Sequence, residues 1–219
     1  MSGTIQQNLA LIGTQADAAC AKSGRKLEEV SILVATKGRT VDQVNEVIAA
    51  GISVCGENYL QEAEKKIAEI GSRVEWHFIG HLQSNKAKKA VELFDCIQSV
   101  DSAKLAGKIS DVAEKPFPVF IEVNIGEEKT KFGVLPKNAA SLFQEIKKLP
   151  NLKIRGLFCM APFVEPENAR PYFQKMKQLA ESLSLKELSM GMSNDFAVAI
   201  EEGSTLIRLG TAIFGKREK

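Results

Sequence analysis

Short apolar, β-branched runs alternate with helical segments along this chain, from about residue 31 to its end. Such runs, each followed by a longer amphipathic stretch, are typical of the β–α units that build a parallel sheet. The predicted strands cover residues 31–36, 52–55, 76–79, 96–99, 118–124, 153–158, 187–190 and 205–209. Eight repeats are the number that closes a (β/α)8 barrel.

The first loop of this pattern distinguishes the barrel from its alternative, an open doubly wound sheet. An open sheet usually carries a glycine-rich phosphate loop after its first strand. Here that loop reads "TKGRT", which matches neither GxGxxG nor GxxxxGK[ST]. We therefore predict an α/β fold, a TIM barrel made by one domain over residues 1–219.

An extra amphipathic helix is predicted before the first strand, packed on the outside of the barrel. Thr4 is suited to be its N-cap, because a threonine hydroxyl can accept a hydrogen bond from the first turn. The apolar residues on one face of this helix are Ile5, Leu9, Ile12, Ala16 and Ala19.

Composition excludes several classes of protein. The net charge is +2, from 29 basic and 27 acidic residues, which gives no electrostatic case for a nucleic-acid partner. No apolar run is long enough to span a membrane, and the first residues do not resemble a signal peptide. No CxxC pair occurs, so we expect buried thiols, no metal site and a cytoplasmic location. The four cysteines are Cys20, Cys55, Cys96 and Cys159.

Two basic residues end predicted strands. A lysine such as Lys37 most often marks where a strand reaches solvent, but a half-desolvated lysine is also a tunable nucleophile. Strand alternation places Lys37 on the face of Leu33, and Arg208 on the face of Leu206. Both are expected to point into the barrel mouth, where Arg208 needs an acceptor such as Glu122 or a bound ligand.

The loops after strands seven and eight are the usual phosphate site of such barrels. They read "GMSND" and "LGTAIFG", and they supply Ser193, Gly210 and Thr211. Ordinary helix capping is the alternative explanation for these residues. An amine, an arginine and a phosphate cradle at one mouth are compatible with pyridoxal 5′-phosphate (PLP) or with a sugar-phosphate aldolase.

The motifs "ATKG", "GENYLQE", "WHFIGHLQSNK", "GLFCMAP", "SMGMSNDF" and "GSTLIRLGTAIFG" occur in this order along the chain. Together they resemble the PLP homeostasis proteins (the YggS/PROSC-like family), from about residue 5 to the end. The resemblance implies a fold-type III barrel like the N-terminal domain of alanine racemase, with PLP as cofactor. It also implies a cofactor site made by Lys37 (the Schiff-base lysine), Asn58, Ser193, Arg208, Gly210 and Thr211.

Within this resemblance, Ser193, Gly210 and Thr211 would hold the phosphate, and Arg208 would face the pyridine nitrogen. Lys131 matches a family lysine near the mouth that is a candidate for cofactor transfer, although a solvated loop lysine is an equal alternative. The family's first loop usually reads Lys-x-Lys-Pro, whereas Arg39 stands here in place of the second lysine.

Three functions follow from these residues. The favoured one is a monomeric PLP carrier that maintains intracellular PLP without turnover, and from which apo-PLP enzymes or free amino acids draw the cofactor. A PLP-dependent amino-acid racemase is the alternative; it is disfavoured because no second domain is expected, and because Tyr59, the only tyrosine expected near the mouth, is predicted to pack beside the cofactor ring or the rim. A class I aldolase ranks last. His77 is expected to be a core histidine, and His81 a solvent-exposed loop residue.

Overall fold

The computed structural model describes residues 3–216, so the ends of the predicted domain at 1–219 lie outside the described residues. The strands are β1 Ser31–Ala35, β2 Val54–Glu57, β3 Glu75–Phe78, β4 Cys96–Val100, β5 Phe117–Val123, β6 Leu152–Cys159, β7 Glu187–Ser189 and β8 Leu206–Leu209. The α-helices are α1 Ile5–Lys22, α2 Val41–Ala49, α3 Leu60–Ile70, α4 Ala87–Leu93, α5 Ala103–Val112, α6 Pro136–Ile146, α7 Pro166–Ser182, α8 Phe196–Glu201 and α9 Thr211–Phe214. Short 3-10 turns lie at Leu27–Glu29, Gly71–Arg73 and Ser84–Lys86.

The strands form a closed parallel barrel in chain order. Closure is made by β1, which pairs with β2 on one side and with β8 on the other. In the register of these pairs, Leu33 lies between Val54 and Arg208. The predicted α/β barrel is therefore confirmed, and the open doubly wound sheet is excluded.

The bounds of β2 differ from the prediction, which placed this strand at 52–55. The amides of Gly51 and Ile52 donate to the carbonyls of Ile48 and Val47, and thus close the end of α2. Since Gly51 has a φ of 93°, the chain turns at this point instead of extending. The strand consequently begins two residues later and ends at Glu57.

Successive strand residues face opposite sides of the sheet, as the alternation predicted. Leu33, Val54 and Leu206 pack together in one small cluster, whereas Val34 and Ile207 pack with helix α1. A second small cluster holds Cys96, Phe120 and Phe158. The Leu33 cluster and the Cys96 cluster both lie inside the barrel, so the interior is a packed core rather than a channel.

The predicted N-terminal helix is confirmed as α1. Thr4 Oγ1 accepts a hydrogen bond from the amide of Gln7, and the Gln7 side chain accepts one from the amide of Thr4, which forms a capping box. The buried face of α1 includes Ile12 and Ala16, and it packs on the outer faces of β1 and β8. The Asn8 side chain ties this helix to α9 through the carbonyl of Ile213, at 2.8 Å.

All four cysteines are free and buried, as predicted. Burial raises the pKa of the Cys55 and Cys159 thiols to about 12, which keeps these thiols protonated at neutral pH. Within residues 3–216, no helix has both the length and the apolar character needed to cross a membrane.

Candidate functional site

A cavity of about 380 Å³ opens at the carboxyl ends of the strands. This is the end of a (β/α)8 barrel at which ligands bind, and the volume lies within the ordinary range for small-ligand pockets. All six residues predicted for the site contribute to its walls: Lys37, Asn58, Ser193, Arg208, Gly210 and Thr211. The structure thus brings together side chains that come from five different loops and strands.

Lys37 lies two residues after the end of β1, in a turn with Gly38, whose φ is 67°. Arg39 lines the cavity beside it. Its guanidinium donates to the carbonyl of Gly215 at 2.7 Å and lies 4.9 Å from the ring centre of Phe214. Arg39 therefore links the loop of Lys37 to the end of α9 and adds a positive charge to the cavity wall, besides that of Arg208.

The loops after β7 and β8 meet at Ser193. The Ser193 hydroxyl accepts a hydrogen bond from the amide of Ala212 at 3.0 Å and lies 3.4 Å from the Thr211 hydroxyl. Helix α9 begins at Thr211, so the amides of Gly210 and Thr211 have no acceptor within the helix. Two hydroxyls and two amide groups consequently converge on one side of the cavity, a set of donors that suits an anion.

Arg208 is buried, and its partners are not those that the sequence analysis expected. It donates to the Ser189 hydroxyl at 3.0 Å and to the carbonyl of Cys159 at 2.7 Å, and its guanidinium stacks 4.4 Å from the Phe158 ring centre. The proposed acceptor Glu122 acts on Arg208 through its charge alone. Burial lowers the pKa of Arg208 to about 10, so the side chain remains charged at neutral pH.

A row of polar side chains runs through the barrel interior from Arg208. Ser189 donates to Gln98 Oε1 at 2.6 Å, and Gln98 Nε2 lies 2.6 Å from His77 Nδ1. His77 Nε2 lies 2.8 Å from Glu75 Oε1 at the opposite end of the barrel. His77 is therefore a core histidine, as predicted, and its contact with Glu75 is the main cause that lowers the pKa of this carboxyl to about 2.

Two neighbouring residues at the end of β2 have different environments. Glu57 is fully buried and forms an ion pair with Lys66 at 2.5 Å. Asn58 lines the cavity, and its Oδ1 is buried without a hydrogen bond from any described residue. Since buried polar atoms are normally paired, Asn58 is ready to accept a hydrogen bond from a ligand.

Three other residues discussed from the sequence, Lys131, His81 and Tyr59, are not among the described residues that line this cavity. Lys131 is bound instead to Glu128 at 2.6 Å and to the carbonyl of Ala161 at 3.1 Å, so it is not a freely solvated loop lysine. His81 was expected to contact only solvent, but its ring stacks on Phe132 with 3.6 Å between ring centres. Tyr59 is 60% exposed.

The apolar wall of the cavity and its carboxylate were not among the predicted site residues. The wall comes mainly from the loop after β6, with Met160, Pro162 and Phe163. The rule that strand ends carry the site could have identified this loop. The carboxylate is Asp195, whose side chain accepts from the amide of Met192 at 2.6 Å; burial raises its pKa.

Similarity to known proteins identifies the family of this chain. Residues 22–218 match the family described as "Alanine racemase, N-terminal domain". The pyridoxal phosphate homeostasis protein of Aquifex aeolicus is 43% identical over 211 residues, which cover 91% of this chain and 92% of the relative. The chain belongs to the pyridoxal phosphate homeostasis protein family. The family member from Haemophilus influenzae is 38% identical over 227 residues, with 97% and 96% of the two chains covered.

Solved structures give the same result for the fold. PipY from Synechococcus elongatus, in a structure with PLP bound, is 32% identical with a TM-score of 0.84, and 97% of this chain and 100% of that chain are covered. Alanine racemase from Corynebacterium glutamicum is 16% identical with a TM-score of 0.70 over 96% of this chain and 62% of that chain. This second likeness concerns the barrel alone.

Proposed function

We infer that this protein binds PLP in the cavity at the barrel mouth, through a Schiff base on Lys37, and maintains the supply of PLP without catalytic turnover. The observation that carries this proposal is the convergence of all six predicted residues on one cavity. Family membership supports the same cofactor, since relatives are named for PLP homeostasis and a solved member holds PLP.

The residues of the cavity fit PLP group by group. The hydroxyls and amides at Ser193, Gly210 and Thr211 suit the phosphate, and the positive charge of Arg39 also favours an anion in this cavity. The unpaired Oδ1 of Asn58 can accept a hydrogen bond from the cofactor. When bound, PLP supplies an aldehyde with which the Lys37 amine condenses, so that a C=N bond forms and one water molecule leaves.

Arg208 would face the pyridine nitrogen. Because it is a fixed cation at neutral pH, it disfavours a proton on that nitrogen and so weakens the electron-withdrawing power of the ring. A weak electron sink is suited to holding the cofactor rather than to turning over amino acids.

The racemase alternative is less well supported. Racemisation needs acid and base groups on both faces of the cofactor, and these are commonly histidine, aspartate, glutamate, lysine or tyrosine. Of the described residues that line the cavity, none is a tyrosine or a histidine, and Lys37 is assigned to the Schiff base. The carboxylate of the cavity, Asp195, already accepts a hydrogen bond from the amide of Met192, and it could serve one face only. An assay for interconversion of L- and D-amino acids with the PLP-loaded protein should therefore show no turnover.

The first test is the visible absorption spectrum of the protein with PLP, before and after reduction with borohydride, followed by peptide mapping. We expect a band that disappears on reduction and a modified peptide that contains Lys37. Lys37→Ala should remove both, whereas the control Lys129→Ala, at an exposed loop position near the mouth, should keep both. Covalent PLP at the barrel mouth of Lys37→Ala with unchanged affinity would refute the assignment.

A further inference from the structure

The chain segment on either side of Lys37 is held by side chains that come from β2 and α3. Thr36, immediately before Lys37, is fully buried at the end of β1. Gly38, immediately after it, donates its amide hydrogen to the Glu62 carboxylate on α3. The neighbours of Lys37 are thus fixed by the protein on both sides.

The centre of this arrangement is Lys66, which is only 4% exposed. Its ammonium group donates to the Thr36 carbonyl at 2.6 Å, to Glu57 at 2.5 Å and to Glu62 at 2.7 Å. An ammonium group has three hydrogens and here has three acceptors, so its hydrogen-bonding capacity is used in full. Burial of such a charge is tolerated only with this kind of pairing.

Glu57 extends the arrangement to a second residue of the cavity. Its Oε1 accepts from the Thr36 hydroxyl at 2.7 Å as well as from Lys66, and its Oε2 accepts from the amide of Asn58 at 3.2 Å. One buried carboxylate therefore fixes both the base of the Lys37 turn and the backbone of Asn58.

We propose that Glu57, Glu62 and Lys66 form a loop clamp that positions Lys37 for its reaction with the aldehyde of PLP. The inference rests on the proposed function of Lys37. The three residues do not line the cavity within the described part of the chain, so they act through the backbone that they hold. They are positioning residues, and the sequence "ENYLQEAEKK" (residues 57–66) places all three within ten positions.

The clamp restricts the backbone on both sides of Lys37 before PLP binds. Lys37 has four rotatable side-chain bonds, and a mobile backbone would add further freedom, which must be lost when the amine reaches the aldehyde. A backbone fixed in advance removes part of that entropy cost before the cofactor arrives. The clamp should therefore raise the rate of capture and the affinity for PLP together.

The test uses the full-length protein, with Glu62→Ala as the main variant, because the Glu62 side chain is 29% exposed and its loss leaves the Glu57–Lys66 pair in place. The control is Glu69→Ala, an exposed glutamate on the same helix. Three quantities are measured: hydrogen exchange of residues 36–39 without PLP, stability to urea, and the rate and affinity of PLP capture from the visible band. Exchange and stability to urea do not depend on PLP, and exchange reports on the loop itself.

We expect Glu62→Ala to exchange faster in this loop and to bind PLP about tenfold more weakly, as loss of a hydrogen bond to a charged group predicts. Glu69→Ala should resemble the wild type. Faster exchange with unchanged capture and affinity would overturn the proposal, and so would unchanged exchange. If the wild type formed no band with PLP, the proposed function itself would fail, and this outcome is distinct from the other two.

Lys66 provides a second measurement. Lys66→Met leaves Glu57 buried without its cation, so this variant can lose its fold. The double variant Glu57→Gln/Lys66→Met removes both charges and avoids that penalty. Lys66→Arg should restore slow exchange and PLP capture in part, since a guanidinium can donate to the same acceptors. Capture by the folded double variant at the wild-type rate would contradict the proposal.

Discussion

Glu122 should make the stability of this protein fall as the pH rises towards neutrality. This carboxyl lies inside the barrel and is 4% exposed. Burial, followed by the nearby charge of Asp101, raises its pKa from 4.5 to about 7, although Arg208 acts in the opposite direction. Between these two pH values the folded protein binds more protons at Glu122 than the unfolded chain does. The free energy of unfolding therefore decreases with increasing pH over this interval.

The size of the effect follows from the shift. At about 1.4 kcal/mol per pKa unit, a change from 4.5 to about 7 corresponds to about 3 kcal/mol. Glu122→Gln keeps the shape of the side chain and removes its ionisation. Relative to the wild type, the variant should gain up to about 3 kcal/mol between pH 4.5 and pH 8.

The assay is urea unfolding of both proteins at several pH values from 4.5 to 8. Glu114→Gln, at an exposed position, controls for the loss of a carboxylate at the surface. If the two stability curves of Glu122→Gln and the wild type run parallel across this interval, then Glu122 does not titrate differently in the folded state and the reasoning is wrong.

Two further predictions concern the walls of the cavity. In Gly80→Ala the new Cβ would lie 2.3 Å from the carbonyl oxygen and 2.8 Å from the Cα of Asn58; we expect a loss of about 1–3 kcal/mol in urea unfolding and weaker PLP binding. The control Gly107→Ala, in a helix with nothing within 4 Å of the new Cβ, should be neutral or stabilising, and equal effects of the two would contradict the clash. Arg208→Glu should shift the visible band of the PLP-loaded protein, since the pyridine nitrogen would then gain a proton. An unchanged spectrum would remove Arg208 from the site.

The fold was predictable because its signal is repeated eight times. In each β–α unit a short apolar run is followed by apolar residues at helical spacing. An error of two residues in the start of β2 did not alter the number of predicted strands. The side-chain direction of Arg208 was also predictable, since strand alternation within β8 determines it. Lys37 lies in the turn after β1, and its place at the barrel mouth was predictable because that turn follows the carboxyl end of a strand.

The contacts inside the barrel were not predictable from local pattern. The choice of Ser189 and the Cys159 carbonyl over Glu122 as partners of Arg208 depends on the stagger between strands far apart in sequence. The burial of Glu57 and Lys66 was missed for a similar reason. In sequence they look like rim and surface residues, and only the position of α3 against the end of β1 reveals the ion pair.

A row of polar side chains crosses the barrel interior from Arg208 through Ser189, Gln98 and His77 to Glu75. This row limits which amino-acid substitutions the barrel interior tolerates. From Arg208 to His77, each member hydrogen-bonds to the next, so replacement of one by an apolar residue leaves its neighbour buried without that partner. Single substitutions along the row should therefore lower the stability of the fold, while simultaneous replacement of several members need not do so. In a redesign of this barrel, the row has to be transferred or replaced as one unit.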